Sequence, residues 1–260
     1  MTDWNPLDAE LDRWRAAGMI LPLWWRDDDA VTVTPELDRL SGLSNDLGLP
    51  VHLAVIPEGA TPELAGYVTE HPHLIPVVHG WSHENHAPAG EKKVEFGAHR
   101  PLADLVDLCQ SARARLRALF GDRLAPMFVP PWNRTTDDLI AQLPGCGYTM
   151  ISTFKPRESA LTAPGLLRVN THLDPIYWRG GGSLADPDTL IAQVAGQLAD
   201  RREGRADNGE PYGILTHHLV HDEAVWAFTE TLLRHLMAGP VRVWTANMTD
   251  PKKGPADEPT

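Results

Sequence analysis

The sequence predicts an α/β barrel of mainly parallel strands. Apolar, β-rich segments alternate with helical patterns about eight times, as parallel strands joined by helical crossovers do. Polar clusters directly follow five of the apolar segments. A closed barrel gathers all its strand ends around one mouth, whereas an open sheet gathers only those beside a switch point. The length of 260 residues suits one such barrel, and no linker or internal repeat divides it. Residues 1–249 are therefore expected to form one domain, and the Pro-, Lys-, Asp- and Glu-rich stretch 250–260 a disordered tail.

The elements follow in order. Residues 8–17 read as an amphipathic helix, with Leu7, Leu11 and Trp14 on one face. An apolar strand at 21–25 runs into Arg26-Asp27-Asp28-Asp29. Thr34-Pro35-Glu36 opens a helix, with Thr34 as cap and Pro35 at the first position, and Thr61-Pro62-Glu63 repeats that signal. Between them lies a strand at 51–56. The next strand, 74–78, leads into His79-Gly80-Trp81-Ser82-His83-Glu84-Asn85-His86. A polar loop is expected over 91–99, and the longest helix over 101–120. A strand at 126–129 ends in Pro130-Pro131-Trp132-Asn133. A helix at 136–143, strands at 148–152 and 166–170, and a helix at 186–202 follow. A short strand at 213–215 ends in Thr216-His217-His218, before a helix at 222–237 and a last strand at 241–245.

Bulk composition narrows the function. A formal charge of −12 argues against nonspecific binding to nucleic acid or anionic membranes. Cys109 and Cys146 are too few for a disulfide framework and form no Cys-x-x-Cys pair. The first residues show no basic stretch followed by an apolar core, and no apolar run approaches the ~18–20 residues of a membrane span. The expectation is a cytoplasmic protein with a small-molecule or oligosaccharide substrate and no nucleic-acid partner; the oligomeric state stays open.

The clusters carry the chemistry. His79 and His83 at a strand exit can share one metal ion, since neutral imidazole is a good ligand for zinc and similar ions. Three adjacent carboxylates repel one another unless cations neutralise them, and Arg26 or a metal would do so for Asp27, Asp28 and Asp29. Trp132 is the first residue after two prolines with a backbone N–H to offer a substrate oxygen. Asp174 could orient a histidine and Trp178 wall a pocket. His217 and His218 would point to opposite faces of their strand, so one of them faces the mouth. Trp81, Trp132 and Trp178 could form an aromatic rim for a sugar ring, although packing alone would also account for each.

Asp-Asp after a first strand, His-x-x-x-His, a Pro-Pro-aromatic turn, Asp-x-x-x-Trp and Leu-x-His on a late strand resemble, in that order, the polysaccharide deacetylase family, also called the NodB-homology or carbohydrate esterase family 4 domain. The wording here looks like a divergent bacterial branch. The resemblance implies a distorted (β/α) barrel of about seven to eight strands with one divalent metal ion, zinc foremost. It implies Asp28 as catalytic base, Asp29, His79 and His83 as metal ligands, and Trp132 as oxyanion donor. Asp174 and Trp178 would be the acidic and aromatic pair, and His217 the general acid. Trp81, Trp132, Asn133 and Trp178 are the expected substrate contacts. Asp27 with Asp28 is the alternative pairing, and His218 the alternative acid. The family's arginine before the Pro-Pro-aromatic turn is Val129 here, so Arg26 or Arg134 is expected to pair with the base. The implied reaction is metal-dependent hydrolysis of an N-acetylated sugar. Its rivals are hydrolysis of a small non-sugar amide and a carbohydrate-binding role without catalysis.

Overall fold

The structure, a computed structural model, describes residues 2–246. The expected tail at 250–260 lies outside the described residues. Eleven strands and seven α-helices follow one another as α1 (Asn5–Ala16), β1 (Leu21–Ala30), α2 (Pro35–Leu47), β2 (Val51–Val55), α3 (Pro62–Glu70), β3 (Leu74–His79), α4 (Leu102–Phe120), β4 (Met127–Val129), α5 (Asp137–Gln142), β5 (Met150–Ile151), β6 (Leu161–Ala163), β7 (Leu166–Arg168), β8 (Ile176–Tyr177), β9 (Ser183–Leu184), α6 (Pro187–Arg202), β10 (Tyr212–Thr216), α7 (Glu223–Ala238) and β11 (Val241–Val243).

Hydrogen bonding orders the main sheet β10-β1-β2-β3-β4-β5-β7-β6. Every pairing in it is parallel except β6 with β7, and β11 adds itself in parallel to the start of β1. The chain beyond β7 closes the ring. Thr171 bridges Phe154, Leu173 bridges Ile214 of β10, and the Leu215 N–H donates to the Leu173 carbonyl at 2.8 Å. Seven parallel strands, β1 to β5 with β7 and β10, thus form a short, irregular barrel.

Two apolar clusters divide the burial. The larger lies between barrel and helices and joins Leu23, Trp25, Leu53, Val78 and Phe128 to helical residues such as Leu7, Leu40, Leu116 and Leu232. The smaller, with Trp24, Ala54, Val77, Met127, Val129 and Met150, fills the barrel. Strand alternation sends every second residue inward. The inward set on β1 is therefore Trp24, Arg26 and Asp28, and on β3 it is Ile75, Val77 and His79. The apolar members plug the floor and the polar members crown it. Gly213 marks how tightly β10 passes this plug, for a Cβ there would lie 2.3 Å from Trp24 Nε1.

The cap signals act as read. Thr34 accepts from the Leu37 N–H at 3.1 Å and Thr61 from the Leu64 N–H at 3.3 Å. β1 differs: it continues through the acidic run to Ala30 instead of ending at Trp25. β6 and the β8–β9 hairpin are additions to the predicted elements, whereas β7 lies within the predicted strand at 166–170. The added strands are two or three residues long, too short to show a period in sequence. No helix among the described residues is long and apolar enough to cross a membrane.

Candidate active site

The end of β1 decides how the three aspartates are used. Asp27 points away from the barrel axis and is fully buried. It accepts from Thr216 Oγ1 at 2.6 Å and from the His218 N–H at 3.0 Å, and it pairs with His218 Nδ1. Burial opposes its charge, yet His218 and Thr216 hold its carboxyl below the usual carboxylate range. The β1–β2 pairing then slips between Asp27 and Ala30, and Asp29 takes a left-handed backbone, φ 79°. Such a bulge re-aims side chains. Asp28 and Asp29 consequently line the same cavity although they are neighbours on one strand. This arrangement favours Asp28 with Asp29 over Asp27 with Asp28, and it separates His217, at the cavity, from His218, which is spent on Asp27.

The Asp27–His218 pair has a predictable stability signature. Burial lowers the His218 pKa, but the Asp27 charge outweighs it and the net shift is upward. A raised histidine contributes stability below its unfolded value, ~6.5, that is lost as pH rises through the folded value. A depressed aspartate contributes above ~3.9 and loses it as pH falls through the folded value. The pair should therefore stabilise most in the window between about 4 and 6.5. Asp27→Asn should cost roughly 3–5 kcal/mol there, the loss seen when one partner of a buried pair is removed. Urea melts across pH, with metal content measured in parallel, check this; the metal content should be unchanged.

Asp29, His79 and His83 converge. Their ligand atoms all lie within 4.8 Å of one another. His79 Nε2 is 3.1 Å and His83 Nε2 3.3 Å from Asp29 Oδ1. His79 Nδ1 is 3.0 Å from the Val129 carbonyl, which only accepts, so the proton sits on Nδ1. In the neutral ring Nε2 then carries a lone pair aimed at a carboxylate, an arrangement that calls for a cation between them. His52 is the contrast. It is buried with Nδ1 against the Trp25 carbonyl and Nε2 accepting from the Ala246 N–H, so both nitrogens are satisfied, and burial pushes its pKa down to about 4. The donor set of two imidazoles and a carboxylate therefore fits a divalent metal with open coordination positions. Burial works against the Asp29 charge, but the bond to His79 and nearby imidazoles drive its pKa well below the ordinary range.

The loop between the two histidines is held by Glu95, which the sequence reading leaves within a polar loop. Glu95 is fully buried. Its carboxylate accepts from the Trp81 N–H at 3.3 Å, the Ser82 N–H at 2.8 Å and the Ser82 hydroxyl at 3.0 Å. Gly80, φ 57°, lets the chain turn over it; a Cβ there would lie 2.3 Å from Glu95 Oε2. No local pattern reveals such a residue, because its partners are 13 and 14 positions away. Trp81 corrects the expected aromatic rim. It packs against the outer core and does not line the cavity, since the turn at Gly80 carries it away from the mouth. Glu95→Ala should lower metal affinity by about 10–100-fold, as loss of a support behind a ligand does. Zinc titration against a competing chelator measures it.

Arg26 answers the departure at Val129. It is fully buried, and its Nε and Nη2 lie 2.9 and 3.0 Å from the two oxygens of Asp28. Its remaining donors reach Ser152 Oγ at 2.7 Å and Asn133 Oδ1 at 2.7 Å. Arg134 instead donates to the Lys93 carbonyl at 2.7 Å. Asn133 therefore steadies Arg26 as well as lining the cavity. Trp132 and Asn133 both take left-handed backbone angles, φ 55° and 57°, just past the prolines. The Trp132 ring packs on His83, with centroids 4.3 Å apart.

The opposite side comes from late strands. His217 Nδ1 lies 4.0 Å from Asp174 Oδ2. Trp178 Nε1 donates to that same oxygen at 2.8 Å, and the Ile176 N–H holds the other at 2.9 Å. Burial raises the Asp174 pKa in spite of His217 and these donors. Trp178 stands edge-on to His217, centroids 4.8 Å apart, and is 51% exposed, so its ring is free to meet a ligand. Asp28, Asp29, His79, His83, Trp132, Asn133, Asp174, Trp178 and His217 line one cavity of about 790 Å³.

Comparison with solved structures defines the fold. The chain has the fold of the polysaccharide deacetylases and family 4 carbohydrate esterases, as the order of motifs implies. It is similar to a protein from Mycobacterium smegmatis provisionally designated a polysaccharide deacetylase, at 16% identity, covering 82% of this chain and 74% of that one, with a TM-score of 0.61. A family 4 carbohydrate esterase from Streptomyces lividans, solved with acetate, matches at 15% identity over 86% of this chain and 92% of that one, TM-score 0.53. A mutant of a CE4 family pseudoenzyme with restored enzymatic activity matches at 13% identity over 86% and 65%, TM-score 0.55. At these identities the likeness is one of fold. No protein-family model matches the sequence, and no curated protein matches it.

Proposed function

We propose that the protein is a metal-dependent hydrolase that removes an acetyl group from an N-acetylated sugar or glycan precursor, with residues 1–249 acting as one catalytic domain. The observation that carries this reading is the convergence of Asp28, Asp29, His79, His83 and His217 on one cavity. Asp29, His79 and His83 would hold a divalent cation, zinc foremost, which supplies Lewis-acid polarisation of the acyl oxygen and a water of lowered pKa.

The chain's own residues do the rest. Asp28 accepts the proton of the attacking water, and Arg26 holds its carboxylate in place. The Trp132 N–H donates to the oxygen of the tetrahedral intermediate; one such donor elsewhere is worth ~3 kcal/mol. His217, with Nδ1 towards Asp174, gives the proton at Nε2 to the leaving amine as the C–N bond breaks. Acetate and a free amine result. Trp178 offers an apolar face to the sugar ring.

The arrangement of Arg26 on Asp28 weighs against a binding protein that has lost catalysis. Acetate release from N-acetylglucosamine oligomers by the zinc-loaded protein tests the proposal; release of other amines from small non-sugar amides, with none from the oligomers, favours the rival amidohydrolase. His217→Ala should lower turnover of an N-acetyl sugar by ~10²–10⁴. The same variant should lose much less on an aryl acetate, whose phenolate departs without a proton. Comparing kcat on the two substrates checks the role.

A further inference from the structure

We propose that the acetylated substrate carries an anionic group, phosphate or carboxylate, which docks in a second cavity beside the active site. This deepens the deacetylase reading and depends on it for the identity of the reacting group. The second cavity, about 550 Å³, shares Asn133 and Arg134 with the active-site cavity. A ligand seated across that shared wall would extend from the reacting centre into a separate compartment.

The chemistry of the compartment is cationic. Lys92, Arg134 and Arg168 line it against two acids, Glu91 and Asp137, both exposed on its rim. Lys93, next along the same loop, lines the active-site cavity and stands 5.9 Å from the centre of the Trp132 ring. Among the described residues none of Lys92, Lys93, Arg134 and Arg168 forms an ion pair with a carboxylate. Arg134 and Arg168 are half-buried, and Arg168 Nε is fully shielded without a hydrogen-bond partner. Arg115 and Arg123, also outside ion pairs, donate to runs of backbone carbonyls, whereas Arg134 makes a single such bond, to the Lys93 carbonyl at 2.7 Å.

A half-buried guanidinium without a counter-charge is unfavourable until an anion arrives. Its fork of donors matches carboxylate and phosphate oxygens. The setting sharpens the point. A chain of net charge −12 repels anions at long range, so a local excess of unpaired cations at the active-site wall runs against the overall charge. A neutral sugar oligomer could accept hydrogen bonds from these groups but would supply no counter-charge.

The test compares three substrates with the zinc-loaded protein: a neutral N-acetylglucosamine disaccharide, N-acetylglucosamine phosphate, and an N-acetylated disaccharide containing a uronic acid. The wild type should favour one anionic substrate by about tenfold in kcat/KM, through KM. The preferred one identifies the anion as phosphate or carboxylate. Arg168→Gln, and independently the exposed Lys92→Gln, should remove that preference and leave turnover of the neutral disaccharide unchanged. Equal kcat/KM for all three, or a preference that survives both variants, overturns the proposal. If nothing is turned over, the deacetylase reading fails, and calorimetry still decides the site. Saturable binding of N-acetylglucosamine phosphate, tighter than N-acetylglucosamine and weakened by Arg168→Gln, would uphold it; equal binding would sink it.

Discussion

Asp28→Asn should abolish deacetylation and leave the metal site loaded. The substitution keeps the shape of the side chain and removes its capacity to take a proton. General bases contribute ~10²–10⁴ in rate, and a loss in that range is expected in kcat with KM little changed. The proposed metal ligands are Asp29, His79 and His83, so elemental analysis should give the same ion content as the wild type. Arg26 makes the case specific. Its guanidinium faces both Asp28 oxygens from a fully buried position, and the neutral amide would leave that charge without its counter-ion. Some loss of stability should accompany the loss of rate, and a thermal melt separates the two. Unchanged turnover in a folded, metal-loaded Asp28→Asn variant would show that the base is elsewhere.

His79→Ala should lose both the metal and turnover. Two ligands remain where a catalytic site of this kind needs three. Losing several kcal/mol of charge stabilisation corresponds to a rate loss beyond roughly 10³-fold. The variant also removes one of the two hydrogen bonds to the buried Val129 carbonyl, which accepts from His79 Nδ1 and from the Gly80 N–H, each at 3.0 Å. Losing one such hydrogen bond costs ~0.5–1.5 kcal/mol. The protein should therefore melt earlier and still fold, and circular dichroism must be recorded beside the activity. Retained turnover in this variant would remove the metal from the mechanism.

How far the sequence is legible can be argued from these residues. The β/α alternation, the Thr34 and Thr61 caps, and the His-x-x-x-His turn are local patterns, and local patterns survive into the fold. β1 is less legible. Arg-Asp-Asp-Asp reads as a loop because charge is unfavourable in a strand, yet each charged member finds a partner across the barrel or beside it: Asp27 with His218, Arg26 with Asp28, Asp29 with His79. The choice among the three aspartates depends on a bulge, which leaves no periodic trace. The Val129 departure has a simple resolution once strand alternation is applied, because Arg26 and Asp28 are two apart and face the same way. Glu95 and the fate of Trp81 are set by the turn at Gly80 and by contacts from a distant loop. Nothing within a few residues of either one announces them.

Asp29, His79 and His83 are proposed to hold a catalytic cation. Anomalous diffraction at the zinc edge, from crystals of the zinc-reconstituted protein, tests it most directly. One strong peak is expected at about 2.0–2.2 Å from an Asp29 carboxylate oxygen, His79 Nε2 and His83 Nε2. A peak elsewhere, or none at that position in protein that releases acetate, would contradict it.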